Sequence, residues 1–184
     1  VVDLALADQR QRHMCQLYEV AARAPEVVID RLDALYGADF RIDAAAEQAK
    51  LEAADVVVLQ FPIFWYSMPS LLQRWVEQVF VHGWSHGSTG DRLRGKKLVV
   101  SLTTGAPRQM YAHDGAMGHT IEELCAPIDS PCRLTGMEIA GTLVTDGVSY
   151  QSRPDPASLA GIRTRSAEHA ERLCRNPPRV DRLR

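Results

Sequence analysis

The residues best suited to chemistry in this 184-residue chain fall in three short stretches. Pro62, Ile63, Phe64, Trp65 and Tyr66 form the first, an apolar segment where a surface loop would ordinarily be polar. Flat aromatic surface beside backbone N–H and C=O groups suits a planar heterocycle, which needs stacking area on its face and hydrogen bonds along its edge. The same aromatics also suit a core or a subunit interface. Thr103, Thr104 and Gly105 form the second stretch. Their hydroxyls and amides suit ring carbonyls, and a glycine lets the backbone come close to a ligand. Tyr111 and His113, with His119 beyond, form the third. Near a redox or acyl centre a Tyr–His pair donates a proton to a developing oxyanion, the alternative being an exposed loop with incidental histidines. His82 and His86 are separated by Gly83 and accompanied by no cluster of carboxylates or thiolates, so no metal site is expected. No Walker-type loop, GxSxG or GxGxxG occurs.

These stretches need elements to hold them. Asp55–Gln60 is a short apolar run rich in β-branched residues, which predicts a strand covered on both faces, closed by Pro62. Leu71, Leu72, Trp75, Val76, Val79 and Phe80 then recur at helical spacing after Pro69-Ser70. Further strands are expected over residues 1–7, 27–32, 98–103 and 137–144. Helices are expected to Ala24, from Asp43 to Ala53, from Thr120 to Leu134 with Pro127 and Pro131 interrupting it, and from Pro156 to Cys174. Residues 33–42 read as a loop anchored by Tyr36. Strand and helix alternate throughout, which predicts an α/β domain over residues 1–175, with residues 176–184 a polar tail. Right-handed crossovers favour a doubly wound, five-stranded parallel sheet of order 2-1-3-4-5 with helices on both faces. Ligands then sit at the carboxyl ends of strands one, three and four, in the loops 8–12, 61–68 and 104–111.

Composition excludes several classes. A formal net charge of −2 provides no basic field for nucleic acid, and no apolar stretch approaches the ~20 residues of a membrane span. Cys15, Cys125, Cys132 and Cys174 are scattered without CxxC spacing, as expected of reduced thiols in a cytoplasmic protein.

The segments FPIFWYSMPSLLQRWVEQVFVHGW, LVVSLTTGAPRQMY and YGADFRIDAAAEQAKLEAADVVV resemble those of NAD(P)H:quinone oxidoreductases with a flavodoxin-like fold. The bacterial branch that includes ancillary oxidoreductases of glutathione-gated potassium efflux is especially similar. The resemblance implies FMN or FAD as cofactor, NAD(P)H as co-substrate, a quinone or similar electron-poor acceptor, and a homodimer. By it, Pro62, Ile63, Phe64, Trp65 and Tyr66 cradle the isoalloxazine, while Thr103, Thr104 and Gly105 bind its pyrimidine edge. Tyr111 takes the place of a tyrosine that assists hydride transfer. Met117 falls nearest the partner histidine of some relatives, with His113 and His119 close by, and His113 is taken as the catalytic partner. The helix after the Trp65-Tyr66-Ser67 loop and the Gly-Trp loop, with exposed aromatics such as Trp84, are expected to form the dimer interface.

The first loop departs from the pattern. Leu6, Ala7, Arg12 and Cys15 stand where relatives carry the His, Pro, Ser and Asn of a flavin-phosphate site. Either Arg12, with Arg10 and His13, rewires that site through direct charge pairing, or the site has decayed. The alternative to the flavoenzyme is therefore a non-catalytic regulatory or binding protein on the same scaffold, such as a peripheral partner of a potassium-efflux transporter. A specialised oxidoreductase acting on an electron-poor secondary metabolite is a third reading.

Overall fold

The computed structural model describes residues 2–3, 27–149, 151 and 154–175. In chain order the elements are β1 (Val2–Asp3), β2 (Asp30–Arg31), α1 (Leu32–Tyr36), α2 (Ala44–Ala53), β3 (Val56–Pro62), α3 (Ser70–Val79) and β4 (Lys97–Thr103). A 3₁₀ turn (Arg108–Met110), α4 (Ile121–Leu124), α5 (Ala126–Thr135), β5 (Glu138–Thr145) and α6 (Pro156–Arg175) follow. Among the described residues every strand pair is parallel, and the strands lie side by side as β2-β1-β3-β4-β5. The two long central strands carry the register, with Val56 opposite Lys97 and Pro62 opposite Thr103. β1 and β2 are described over two residue pairs.

β3 and β4 bury both faces, as continuous apolar runs do in parallel sheets. α3 closes one side with Leu71, Leu72, Trp75 and Val79, all fully buried. Each such side chain contributes about 1.5–3 kcal/mol by leaving water. α2 is capped by Asp43, whose side chain accepts the Ala46 N–H at 3.0 Å.

Three expected elements differ. Strand two covers only Asp30–Arg31, and the segment read as a loop begins with α1. Leu32 and Tyr36 lie one helical turn apart, so the same face buries Leu32 and brings the Tyr36 hydroxyl to Glu47 at 2.7 Å. The helix expected over Thr120–Leu134 breaks at Cys125. A reciprocal Thr120–Glu123 capping box starts α4, and Pro127 falls in the first turn of α5, where no N–H is needed. Gly136 ends α5 with φ of +72°, a left-handed conformation that favours glycine. Trp84 is the third. It is half-buried, packs against the core and donates its indole N–H to Glu52 at 2.7 Å, so its polar edge is satisfied within its own chain.

The opposite face of the sheet holds a polar chain that the apolar runs conceal. Gln60 and Ser101 face each other across β3 and β4, Thr145 lies two residues further along β5, and all three sit beneath His169 of α6, all four being buried. Ser101 Oγ lies 3.3 Å from Gln60 Oε1 and 2.7 Å from His169 Nε2, while Thr145 Oγ1 lies 2.7 Å from Nδ1. Burial, with help from Arg172 on the same helix, lowers the His169 pKa to about 4. The groups facing it from the sheet are uncharged. An unfolded chain therefore takes up this proton first, and stability falls as pH drops from about 6.5 to about 4. Thermal unfolding followed at pH 7, 5.5 and 4.5 is expected to show that loss. His169→Gln is expected to reduce the slope within the same window.

Candidate functional site

β3 ends in a loop of unusual geometry. Phe64 and Ser67 exchange both backbone hydrogen bonds at 3.0 Å, so Trp65 and Tyr66 form the tip of a two-residue turn. Their φ angles are +48° and +64°. A turn with positive φ at both central residues is the primed type that prefers Asn-Gly, and bulky aromatics there are strained. The turn nevertheless presents Trp65 with 94% of its surface exposed, Tyr66 with 48% and Phe64 with 39%. Backbone strain of this kind clusters at active sites and ligand clamps. Trp65→Asn combined with Tyr66→Gly is therefore expected to stabilise the fold by about 1 kcal/mol, read as a higher urea midpoint.

The neighbouring turn after β4 is fastened to this loop and to β5. Ile63 N–H donates to Thr103 O at 2.9 Å, and Thr104 N–H donates to Thr145 O at 3.0 Å. Val148 N–H closes on Thr104 O at 2.9 Å, and Thr104 Oγ1 donates to Ala106 O at 2.8 Å. Thr103 and Thr104 are both buried. The Thr104 donors expected to meet a ring edge are thus committed to the turn itself. Among the described residues the Gly105 N–H has no partner, and a Cβ placed on Gly105 would meet nothing within 4 Å. Gly105 leaves an open cradle beside an unused donor.

Tyr111 and Tyr66 complete the walls. Burial raises the Tyr111 pKa, and nearby Tyr66 adds to the rise, while hydrogen bonds involving Thr104 and the Ala106 backbone oppose it. The Tyr66 hydroxyl donates to Met117 Sδ at 3.2 Å, which bridges the two loops. His113 sits apart. It is exposed and faces Glu123 at 3.7 Å, and His119 faces the same carboxylate at 3.6 Å. The Thr120 backbone N–H is the main reason that the Glu123 pKa is lowered, with both histidines adding to it. Arg12 and the altered positions Leu6, Ala7 and Cys15 lie outside the described residues.

Thr145 went unread in the sequence. Thr145-Asp146-Gly147 after an apolar strand repeats the pattern of Thr103-Thr104-Gly105, a usable signal. Asp146 also accepts the Arg108 N–H at 2.8 Å, where the 3₁₀ turn begins. Among the described residues no group of three or more metal-ligating side chains converges. An apolar groove lined by Val76, Phe80, Pro131 and Leu134 shares none of these residues.

An aromatic turn and a glycine turn meeting at the carboxyl ends of adjacent parallel strands is the ligand position of open α/β sheets. Residues 5–170 match the flavodoxin-like fold family. The chain belongs to that family. This bears out the resemblance to flavodoxin-like NAD(P)H oxidoreductases drawn from the motifs. The chain is 39% identical over 119 residues to the Uncharacterized NAD(P)H oxidoreductase YdeQ of Bacillus subtilis (strain 168), a match covering 65% of this chain and 60% of that protein. It is also 39% identical over 123 residues to the Glutathione-regulated potassium-efflux system ancillary protein KefF of Klebsiella pneumoniae (strain 342), covering 67% of this chain and 68% of the relative. In fold it is similar to a crystal structure of general stress protein 14 from Treponema denticola in complex with FMN, with a TM-score of 0.82 at 24% identity over 95% of this chain and 96% of the other. No helix among the described residues is long and apolar enough to cross a membrane.

Proposed function

We propose that this flavodoxin-like chain is a flavin-dependent oxidoreductase that uses NAD(P)H to reduce a quinone or similar electron-poor acceptor. The observation that carries the reading is the strained Trp65–Tyr66 turn set beside the open Gly105 cradle. Together they provide a stacking face and a backbone edge for a planar ring. Phe64, Trp65 and Tyr66 would hold the face of the isoalloxazine, with Pro62 and Ile63 fixing the loop, and Gly105 would approach its edge. FMN or FAD, when bound, supplies two-electron hydride chemistry. Tyr111, partly buried against Thr104, is the hydroxyl best placed to hold a proton beside an acceptor, and the exposed His113 is a second candidate. Arg12 is proposed as the ligand of the flavin phosphate.

The reading extends to one domain over residues 1–175, with a five-stranded sheet of order 2-1-3-4-5, acting as a cytoplasmic homodimer. The relative named as a potassium-efflux ancillary protein supports a second reading, in which the chain is a peripheral regulatory partner of a transporter. One measurement separates them. The purified chain mixed with FMN, or with FAD in parallel, is expected to retain the flavin and to lose its visible absorbance when NADPH is added without oxygen. A chain that neither retains flavin nor bleaches it sinks the enzyme reading and leaves the regulatory one.

A further inference from the structure

We infer that His169 is a positioning residue, whose buried hydrogen-bond chain through Ser101 and Thr145 sets the conformation of the Thr104–Gly105 turn. Its bearing on a ligand rests on the flavin reading above. Its bearing on the turn does not.

Hydrogen-bond direction follows from the partners. Gln60 Oε1 can only accept, so the Ser101 hydroxyl donates to it across 3.3 Å. Ser101 Oγ then accepts from His169 Nε2–H at 2.7 Å, leaving Nδ1 to accept the Thr145 hydroxyl at 2.7 Å. This assigns the tautomer from the network. The Ser101 hydroxyl, the His169 Nε2–H and the Thr145 hydroxyl each have one acceptor, and the neutral ring is the form that fits. A charged ring would need both nitrogens to donate, and the Thr145 hydroxyl would have to turn away.

Thr145 is the link to the site. While its side chain is held by His169, its backbone carbonyl accepts the Thr104 N–H at 3.0 Å. Gln60 lies on β3 two residues before Pro62, and Ser101 lies on β4 two residues before Thr103. Through Gln60, Ser101 and Thr145, one side chain of α6 is thus tied to all three long strands just before the loops that form the cradle. A core served by packing alone would place an aliphatic residue here, because buried polar groups cost stability unless every partner is present. His169 spans Ser101 and Thr145 with donor and acceptor at opposite edges of one rigid ring, which no aliphatic side chain can do.

The test is amide hydrogen exchange at Thr104 read beside FMN affinity, in wild type, Thr145→Val, Ser101→Ala and His169→Gln. Thr145→Val is near-isosteric and keeps the backbone carbonyl, so it remains usable if His169→Gln does not fold. Protection of the Thr104 amide is expected to fall about tenfold in Thr145→Val and Ser101→Ala, with Val57 and Leu59 of β3 unchanged. FMN is expected to bind about tenfold more weakly in both. His169→Gln, which keeps one donor and one acceptor, is expected to recover part of the protection. Equal loss at Val57, Leu59 and Thr104 would show a general loss of stability and overturn the inference. So would unchanged Thr104 protection, while unchanged FMN affinity where Thr104 has become exposed would overturn its bearing on the ligand. If wild type binds no flavin while Thr104 responds as stated, the flavin reading falls and the positioning of the turn stands.

Discussion

Glu47→Ala is expected to lower the unfolding free energy by about 3 kcal/mol, the cost of leaving buried donors without their shared acceptor. The Glu47 side chain is 1% exposed and receives the Tyr36 hydroxyl at 2.7 Å, the Lys50 ammonium at 2.6 Å and the Trp75 indole N–H at 3.0 Å. The Tyr36 pKa is pushed up to about 12, by burial first and by Glu47 next. Lys50 is partly solvated and also pairs with Asp30 at 2.9 Å, so it adds less to the loss than Trp75, which has no access to water. Glu47→Gln retains one acceptor and is expected to cost about half as much. Urea unfolding with an unchanged m-value and a lowered midpoint checks both. An unfolding free energy within about 0.5 kcal/mol of wild type would mean that the Glu47 cluster contributes nothing net.

Gly105→Leu is expected to leave stability unchanged and to weaken flavin binding at least a hundredfold, or about 2.7 kcal/mol. Gly105 has no positive φ, and a Cβ there meets nothing within 4 Å, so the free protein accommodates the new side chain without strain. The added carbons occupy the space where a planar ring would meet the Gly105 N–H. Equilibrium dialysis against FMN, beside a thermal melt, separates the two effects. Unimpaired binding in a folded Gly105→Leu protein would remove Gly105 from the site.

The sequence made the central sheet and α3 legible because their signals are local. The apolar run at Val56–Phe61 and the helical spacing of Leu71, Leu72, Trp75 and Val79 each need only near neighbours to be read. The boundary between β2 and α1 was not legible. Val27-Val28-Ile29 favours a strand by composition, whereas the helix that follows buries Leu32 in the core and sends Tyr36 to Glu47 on a different element. The Trp84 hydrogen bond was not legible for the same reason, since its partner Glu52 lies 32 residues away. In the candidate site, the aromatic and glycine turns were visible as residue types. The commitment of the Thr104 donors to Thr145 and Ala106 was not, because the partner strand begins far downstream. The polar chain ending at His169 spans 68 residues from Ser101, and no local pattern announces it.

β5 lies at one side of the described sheet, with β4 as its neighbour. Its register slips between Leu98 and Val99, where Ile139 and Gly141 face successive β4 residues and Ala140 is left over. An extra residue of this kind twists an outer strand away from the flat geometry that another chain's strand would need. Glu138, paired with Lys97, adds charge at the start of the same strand. Irregularities of this kind guard outer strands against edge-to-edge pairing. Removing this one by deleting Ala140 would trade that guard for a straighter ladder, and a rise in concentration-dependent light scattering would report the exchange.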